Sequence, residues 1–161
     1  MMLDSMIKLK KPNPWSCSVT AFAMATDLLI FEFIAGCGHD GSAFAFPELG
    51  DPAGRRGFHE QELIAVCIDK GFTCTPFELW PTCDYGNGCT IPACDPRRDV
   101  FERLVFRNSG VITGRTVKCG HAVAFERGTI FDPDGPEFPF SFEACESRGF
   151  FPGCLWLVKR A

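Results

Sequence analysis

The run from Val19 to Ile34 is the longest apolar stretch in the chain, and it decides most of what the chain can become. Thr20, Thr26, Asp27 and Glu32 interrupt it, so it is too polar to span a bilayer. It is also apolar on nearly every side, which suits a buried helix and not a surface one. The lead-in from Lys8 to Trp15 is polar and holds Pro12 and Pro14, so the helix cannot start earlier. Ser16 is the expected N-cap, Cys17 lies in the first turn, and Gly36 is the expected C-cap beyond Ile34.

A buried helix needs apolar partners, and the composition provides them. Of 161 residues, 46% are hydrophobic and 22% charged, which excludes a disordered chain. Seventeen phenylalanines against one tyrosine describe a core of phenyl rings without hydroxyls to satisfy. The length suits one domain, residues 1–161. Sixteen Lys and Arg against twenty Asp and Glu leave a net charge of −4, so no basic excess exists to neutralise phosphates. Nucleic acid is therefore not an expected partner. Met1 to Lys11 has no apolar run before its lysines and does not read as a secretory signal. The expectation is a cytoplasmic protein with no membrane partner and most of its ten cysteines reduced.

Further along, Gly36 to Gly57 reads as a Gly- and Pro-rich loop and Phe58 to Lys70 as a helix closed by Gly71. Thr73 to Asp95, with three prolines and four cysteines, reads as irregular. Asp99 followed by Glu102 is a capping-box start for a helix running to about Asn108. The character then changes. Val111 to Thr116, His121 to Glu126 and Thr129 to Asp132 read as strands, with Arg127-Gly128 as a tight hairpin turn. Phe142 to Arg148 reads as a short helix ended by Gly149, and Leu155 to Lys159 as a last strand. Helices first and antiparallel strands second make an α+β arrangement.

Two features carry chemistry. The segment Asn13-Pro14-Trp15-Ser16-Cys17-Ser18-Val19-Thr20 puts a thiol in the first helical turn. Unpaired N–H groups and the positive end of the helix dipole there favour thiolate, the nucleophilic form. The plain alternative is that Cys17 is one more small hydrophobe in a core. The second feature is Gly120-His121 opening one strand and Asp132-Pro133-Asp134-Gly135 closing the next. With Arg127 and Gly128 as the loop, Glu126 faces Thr129 and Phe125 faces Ile130. His121 and Asp132 then share a sheet face as diagonal neighbours. Asp134, directly opposite His121 in this register, is the rival carboxylate.

Asn13 to Met24, then Gly120-His121, then Asp132-Pro133-Asp134-Gly135, resembles the papain-like cysteine peptidases. The likeness is to the branch of bacteriocin-leader-processing peptidases and their bacterial and phage relatives. It covers the motif regions and their order; Gly36 to Asp95 has no counterpart. The resemblance implies a papain-like fold, with the helix that carries the Cys packed on a C-terminal antiparallel sheet. It implies Cys17 as nucleophile, His121 as general base and Asp132 as the residue that orients the imidazole. The oxyanion hole would be the Cys17 backbone N–H plus an upstream side-chain donor. The family commonly uses Gln, and Asn13 is the only amide side chain before Cys17 here. No cofactor and no metal are expected, since a Cys–His–Asp site makes its own nucleophile. The implied reaction is hydrolysis of a peptide or isopeptide bond in a peptide or protein substrate. Amine transfer by a transglutaminase-like acyltransferase, and a silent protein-binding factor using Phe44, Phe46 and Phe138, are the alternatives.

The remaining cysteines are less informative. Cys74, Cys83, Cys89 and Cys94 lack a Cys-x2-Cys knuckle, so scattered thiols are expected there, with a structural zinc or a disulfide as the alternative. Cys37-Gly38-His39-Asp40 reads as a solvated turn, with a metal-ligand pair as the alternative. Cys145 and Cys154 flank a turn and are candidates to pair.

Overall fold

The structure, a computed structural model, describes residues 5–43, 56–79, 82–84, 90–92 and 95–161. The long apolar run forms two helices and not one: α1, Cys17–Thr26, and α2, Ile30–Cys37, which meet at 116°. The break is local chemistry. Thr26 Oγ turns back to donate to the Phe22 carbonyl and accepts from Leu28 N–H, while Asp27 adopts a left-handed φ of 58°. Glu32 then accepts from Leu29 N–H and starts a new helix. Only α1 is buried nearly all round; α2 buries Phe33 and leaves Phe31 exposed. Gly38, not Gly36, is the left-handed C-cap. Among the described residues no single helix is long and apolar enough to cross a membrane.

Helix α3, Glu60–Asp69, ends at Gly71, and strand β1, Phe72–Glu78, follows at once. The irregular segment expected from Thr73 to Asp95 is thus ordered in part, with β1 and a small ribbon of β2, Thr82–Asp84, and β3, Thr90–Pro92. Helix α4 runs Asp95–Arg107, so Asp99 lies inside it and does not start it. The rest is β4, Ser109–Arg115; β5, Gly120–Glu126; β6, Thr129–Phe131; β7, Phe138–Pro139; α5, Phe142–Ser147; and β8, Phe151–Arg160.

One antiparallel six-stranded sheet, in the order β1-β8-β4-β5-β6-β7, carries the molecule. Its central strands are buried on both faces, which is why β4 and β5 read as continuous apolar runs. Val111, Ala122, Ala124, Phe131 and Val158 pack with α1 and α3, through Phe22, Leu63 and Val66. Ile112, Val123, Phe125, Ile130 and Leu155 pack on the other face with Phe101 and Val105 of α4 and Cys145 of α5. Phe22 has no exposed surface; truncating it to Ala would cost roughly 3–5 kcal/mol.

The β5–β6 hairpin has the expected register, Glu126 facing Thr129 and Phe125 facing Ile130. Arg127 and Gly128 both take positive φ, 44° and 84°, the turn that matches the twist of a two-residue hairpin. The paired ladder ends at Ala124–Phe131, so Asp132 stands just beyond it.

Candidate active site

Helix α1 brings Cys17 to the start of β5. The hydroxyl expected to cap the helix does something else: Ser16 Oγ donates to Asn13 Oδ1 at 2.5 Å and makes no cap bond. No acidic residue lies in the first turn of α1, so nothing there competes with a negative sulfur for the helix end. His121 and Ala122 of β5 lie close enough to the Cys17 thiol to favour its charged form. On its other side the His121 ring bonds Asp132, Nε2 to Oδ1, at 2.9 Å. The same Asp132 oxygen accepts from Asp134 N–H, also at 2.9 Å, which fixes the carboxylate from within its own turn. Asp134, the rival carboxylate, turns away to Lys11 at 3.1 Å.

Nε2 is committed to Asp132, so Nδ1 is the nitrogen that faces the thiol. A carboxylate only accepts, so Nε2 carries a hydrogen. The edge of the Phe150 ring meets the imidazole, with centroids 5.5 Å apart. Gly114, opposite His121 in the β4–β5 ladder, makes room for this contact. A Cβ there would fall 2.1 Å from the Phe151 carbonyl oxygen and 2.9 Å from the Phe150 ring.

The electrostatics follow from this geometry. Burial opposes charge on Cys17, yet the His121 bond and charge, the Ala122 bond and the nearby Lys11 outweigh it and lower the thiol pKa. Burial likewise opposes a charged His121, but its bonds to Asp132 and Cys17 raise it to about 10. Burial would raise Asp132; its bonds from His121 and Asp134 hold it below its ordinary value. Asn13, the expected oxyanion donor, has its side-chain oxygen taken by Ser16 Oγ and by Trp15 N–H at 3.3 Å. That leaves its Nδ2 as the free end of the amide.

The structure thus brings Cys17, His121 and Asp132 into one chain of contacts, with Asn13 one helical entry away. No family model and no curated protein matches the sequence. Among solved structures it is similar to a double glycine motif protease from an AMS/PCAT transporter, in complex with the leader peptide. The TM-score is 0.56 at 11% identity, over 98% of this chain and 93% of that one. The chain has the papain-like cysteine peptidase fold. In that fold, helix α1 with Cys17 at its start packs on the antiparallel sheet that carries His121.

The other candidates separate from this corner. His39 is not in a free turn. Its Nε2 lies 2.7 Å from Glu62 Oε1, its Nδ1 accepts from Gly41 N–H, and its ring stacks on Phe58. Cys145 and Cys154 are both free thiols, each burying its sulfur separately. Cys74 lies against Cys67 of α3, a neighbour the spacing did not suggest. Cys89 and Cys94 lie outside the described residues, and β2 carries Cys83. Among the described residues no cluster of His, Cys, Asp or Glu is arranged to hold a metal. Phe138, expected on a binding surface, is only 4% exposed, because it closes the core beside α5; Phe44 and Phe46 lie outside the described residues. Phe150 and Lys11 were not marked by sequence as neighbours of the site. No periodicity could have found them, since a strand end and the lead-in segment bring them in.

Proposed function

We propose that the protein is a cysteine peptidase that hydrolyses a peptide or isopeptide bond through an acyl-enzyme on Cys17. The observation that carries this reading is a Cys17 thiol at a helix N-terminus beside a His121 ring that is itself bonded to Asp132. The lowered thiol and the raised imidazole both favour a thiolate–imidazolium pair.

The thiolate attacks the carbonyl carbon, and the carbonyl π pair moves onto oxygen. Nδ1–H gives its proton to the leaving amine as the C–N bond breaks, leaving a thioester on Cys17. Neutral His121 then takes a proton from water, whose oxygen attacks the thioester. Collapse expels Cys17 as thiolate and restores the ion pair. Asp132 keeps the ring in the tautomer and orientation that both steps need. The Cys17 N–H and Asn13 Nδ2 are the proposed oxyanion donors, a role that one such donor fills for roughly 3 kcal/mol of barrier. Ser16 supports Asn13 in it by holding the amide oxygen away.

A peptide substrate is supported by the solved structure of similar fold, which holds a leader peptide. Double-glycine leader peptides are therefore the first probes, followed by a general peptide library. Cleavage by the wild type and none by C17A, followed by mass spectrometry, is the expected result. A thioester adduct that passes mainly to an added amine would make the protein an acyltransferase. No adduct and no cleavage would leave protein binding as the better account.

A further inference from the structure

Asp132 presents a mechanical problem. It lies beyond the last paired residues of the β5–β6 ladder, Ala124 and Phe131, so the sheet does not hold it. Its turn closes on itself only through Asp134 N–H to Asp132 Oδ1 and a long Gly135 N–H to Asp132 carbonyl bond of 3.4 Å. Yet a carboxylate that orients an imidazole must be held within a fraction of an ångström.

The missing support comes from the other end of the chain. The extended segment before α1 lies across this turn and makes three bonds to it. Lys11 N–H donates to the Pro133 carbonyl at 3.1 Å, and Lys11 Nζ reaches Asp134 Oδ1 at 3.1 Å. Lys8 Nζ donates to the Gly135 carbonyl. The segment is itself anchored to rigid elements. Met6 N–H donates to Glu126 at the end of β5 at 2.8 Å, and Leu9 N–H lies 3.1 Å from the sulfur of Met24 on α1. Lys11 is well covered for a lysine, with its side chain 19% exposed, while its partner Asp134 is 57% exposed, so the pair adds to the two carbonyl bonds and does not carry the strap alone.

We infer that Lys8 and Lys11 are positioning residues of the site, forming a strap that ties the Asp132–Gly135 turn to α1 and β5 and so aims Asp132 at His121. The inference rests on the reading of Cys17, His121 and Asp132 given above. The two ammonium groups have a second effect of the same sign. The Lys11 charge favours the charged form of Cys17, and the Lys8 charge favours that of Asp132. The other charged or titratable groups that meet the relay are Asp134, paired with Lys11, and Cys145 of α5, which senses the Asp132 charge. Loosening the strap should therefore weaken the His121–Asp132 bond and the thiolate together.

The test is the pH dependence of Cys17 alkylation by iodoacetamide, read by peptide mapping on the full chain, for wild type, K8M, K11M, K11R and K70M. Lys70 pairs with Glu32 away from the turn and serves as the control. K8M and K11M are expected to raise the alkylation midpoint by roughly half to one pH unit. K11R, which keeps the charge and the donors, should titrate like the wild type, and so should K70M. Circular dichroism on each variant separates a shifted midpoint from a lost fold. Folded K8M and K11M proteins that titrate like the wild type would overturn the strap and leave the functional reading intact. A wild-type Cys17 that titrates as an ordinary thiol would overturn both.

Discussion

Among the described residues, two pairs of histidine and carboxylate invite comparison, and the tighter one is the less interesting. His39 and Glu62 approach to 2.7 Å, His121 and Asp132 to 2.9 Å. Distance alone would choose the first. The side chains of the first pair are 40% and 32% exposed; those of the second are 9% and 17% exposed. Water screens the first and leaves the second to act at close to full strength. The second difference is what each ring does with its other nitrogen. His39 uses Nδ1 to accept from Gly41, so both nitrogens are spent on fixing a loop beside Phe58. His121 keeps a nitrogen facing a thiol at a helix N-terminus. A histidine–carboxylate pair becomes chemistry only when it is sheltered and still has a nitrogen to use.

The comparison breaks most readily on the largest effect. C17A and H121A should each lower kcat/KM by on the order of 10⁴-fold or more, since residues that act as a unit fail together. H39A and E62Q should stay within about twofold of wild type, because an exposed ion pair that makes no contact with the Cys17, His121 or Asp132 side chains contributes little. An H39A loss comparable to that of H121A would end the distinction. D132N comes next, at on the order of 10²–10⁴-fold, because an amide can hold the wrong tautomer of the ring. N13A should follow with a loss on the order of 10²-fold in kcat and little change in KM, the pattern of a donor that acts on the transition state.

The pH profile sharpens the comparison. Activity should rise as Cys17 loses its proton, below the ordinary thiol range, and fall as His121 loses its own near about 10. The linked stability has a definite sign. His121 has a raised folded pKa, so its contribution is complete below the ordinary imidazole value of 6.5 and is lost as pH rises through about 10. Asp132 is depressed in the fold, so its contribution is complete above the ordinary carboxyl value of 3.8 and is lost as pH falls through the lowered value. The Tm difference between wild type and H121A should therefore be largest in mildly acidic solution and should shrink at high pH. The smallest effect is on stability at the other pair: H39A should cost under about 1 kcal/mol in urea unfolding.

Parts of this were readable in the residues. Arg127-Gly128 between two apolar runs fixed a hairpin register, and with it the meeting of His121 and Asp132. Cys17 behind two prolines announced a helix start. Other parts were not readable, each for a physical reason. The break at Asp27 depends on Thr26 turning onto the Phe22 carbonyl, and the hydropathy of the run continues across it. Strand β1 was hidden because it is a sheet edge with one face in water, and it tolerates Pro76 where a central strand would not. Helix α4 begins at Asp95-Pro96, while Asp99 and Glu102 imitate a start one turn later. The strap over the Asp132 turn is a contact between Lys11 and Asp134, too distant in sequence for any local pattern to show.

The central claim is that one thiol of ten has been made reactive by its surroundings. Burial pushes Cys37 up to about 11 and Cys145 and Cys154 up to about 12, so these are poor nucleophiles near neutrality. Among the described residues the fair competitors are Cys119, which is exposed, and Cys74, whose pKa is lowered by its neighbour Cys67. A limiting dose of iodoacetamide at about pH 6, followed by peptide mapping, sets them against Cys17 directly, because only thiolate reacts. The account predicts that Cys17 is carboxamidomethylated first and that H121A abolishes its lead. Alkylation of Cys74 or Cys119 ahead of Cys17, or a lead for Cys17 that survives H121A, would contradict it.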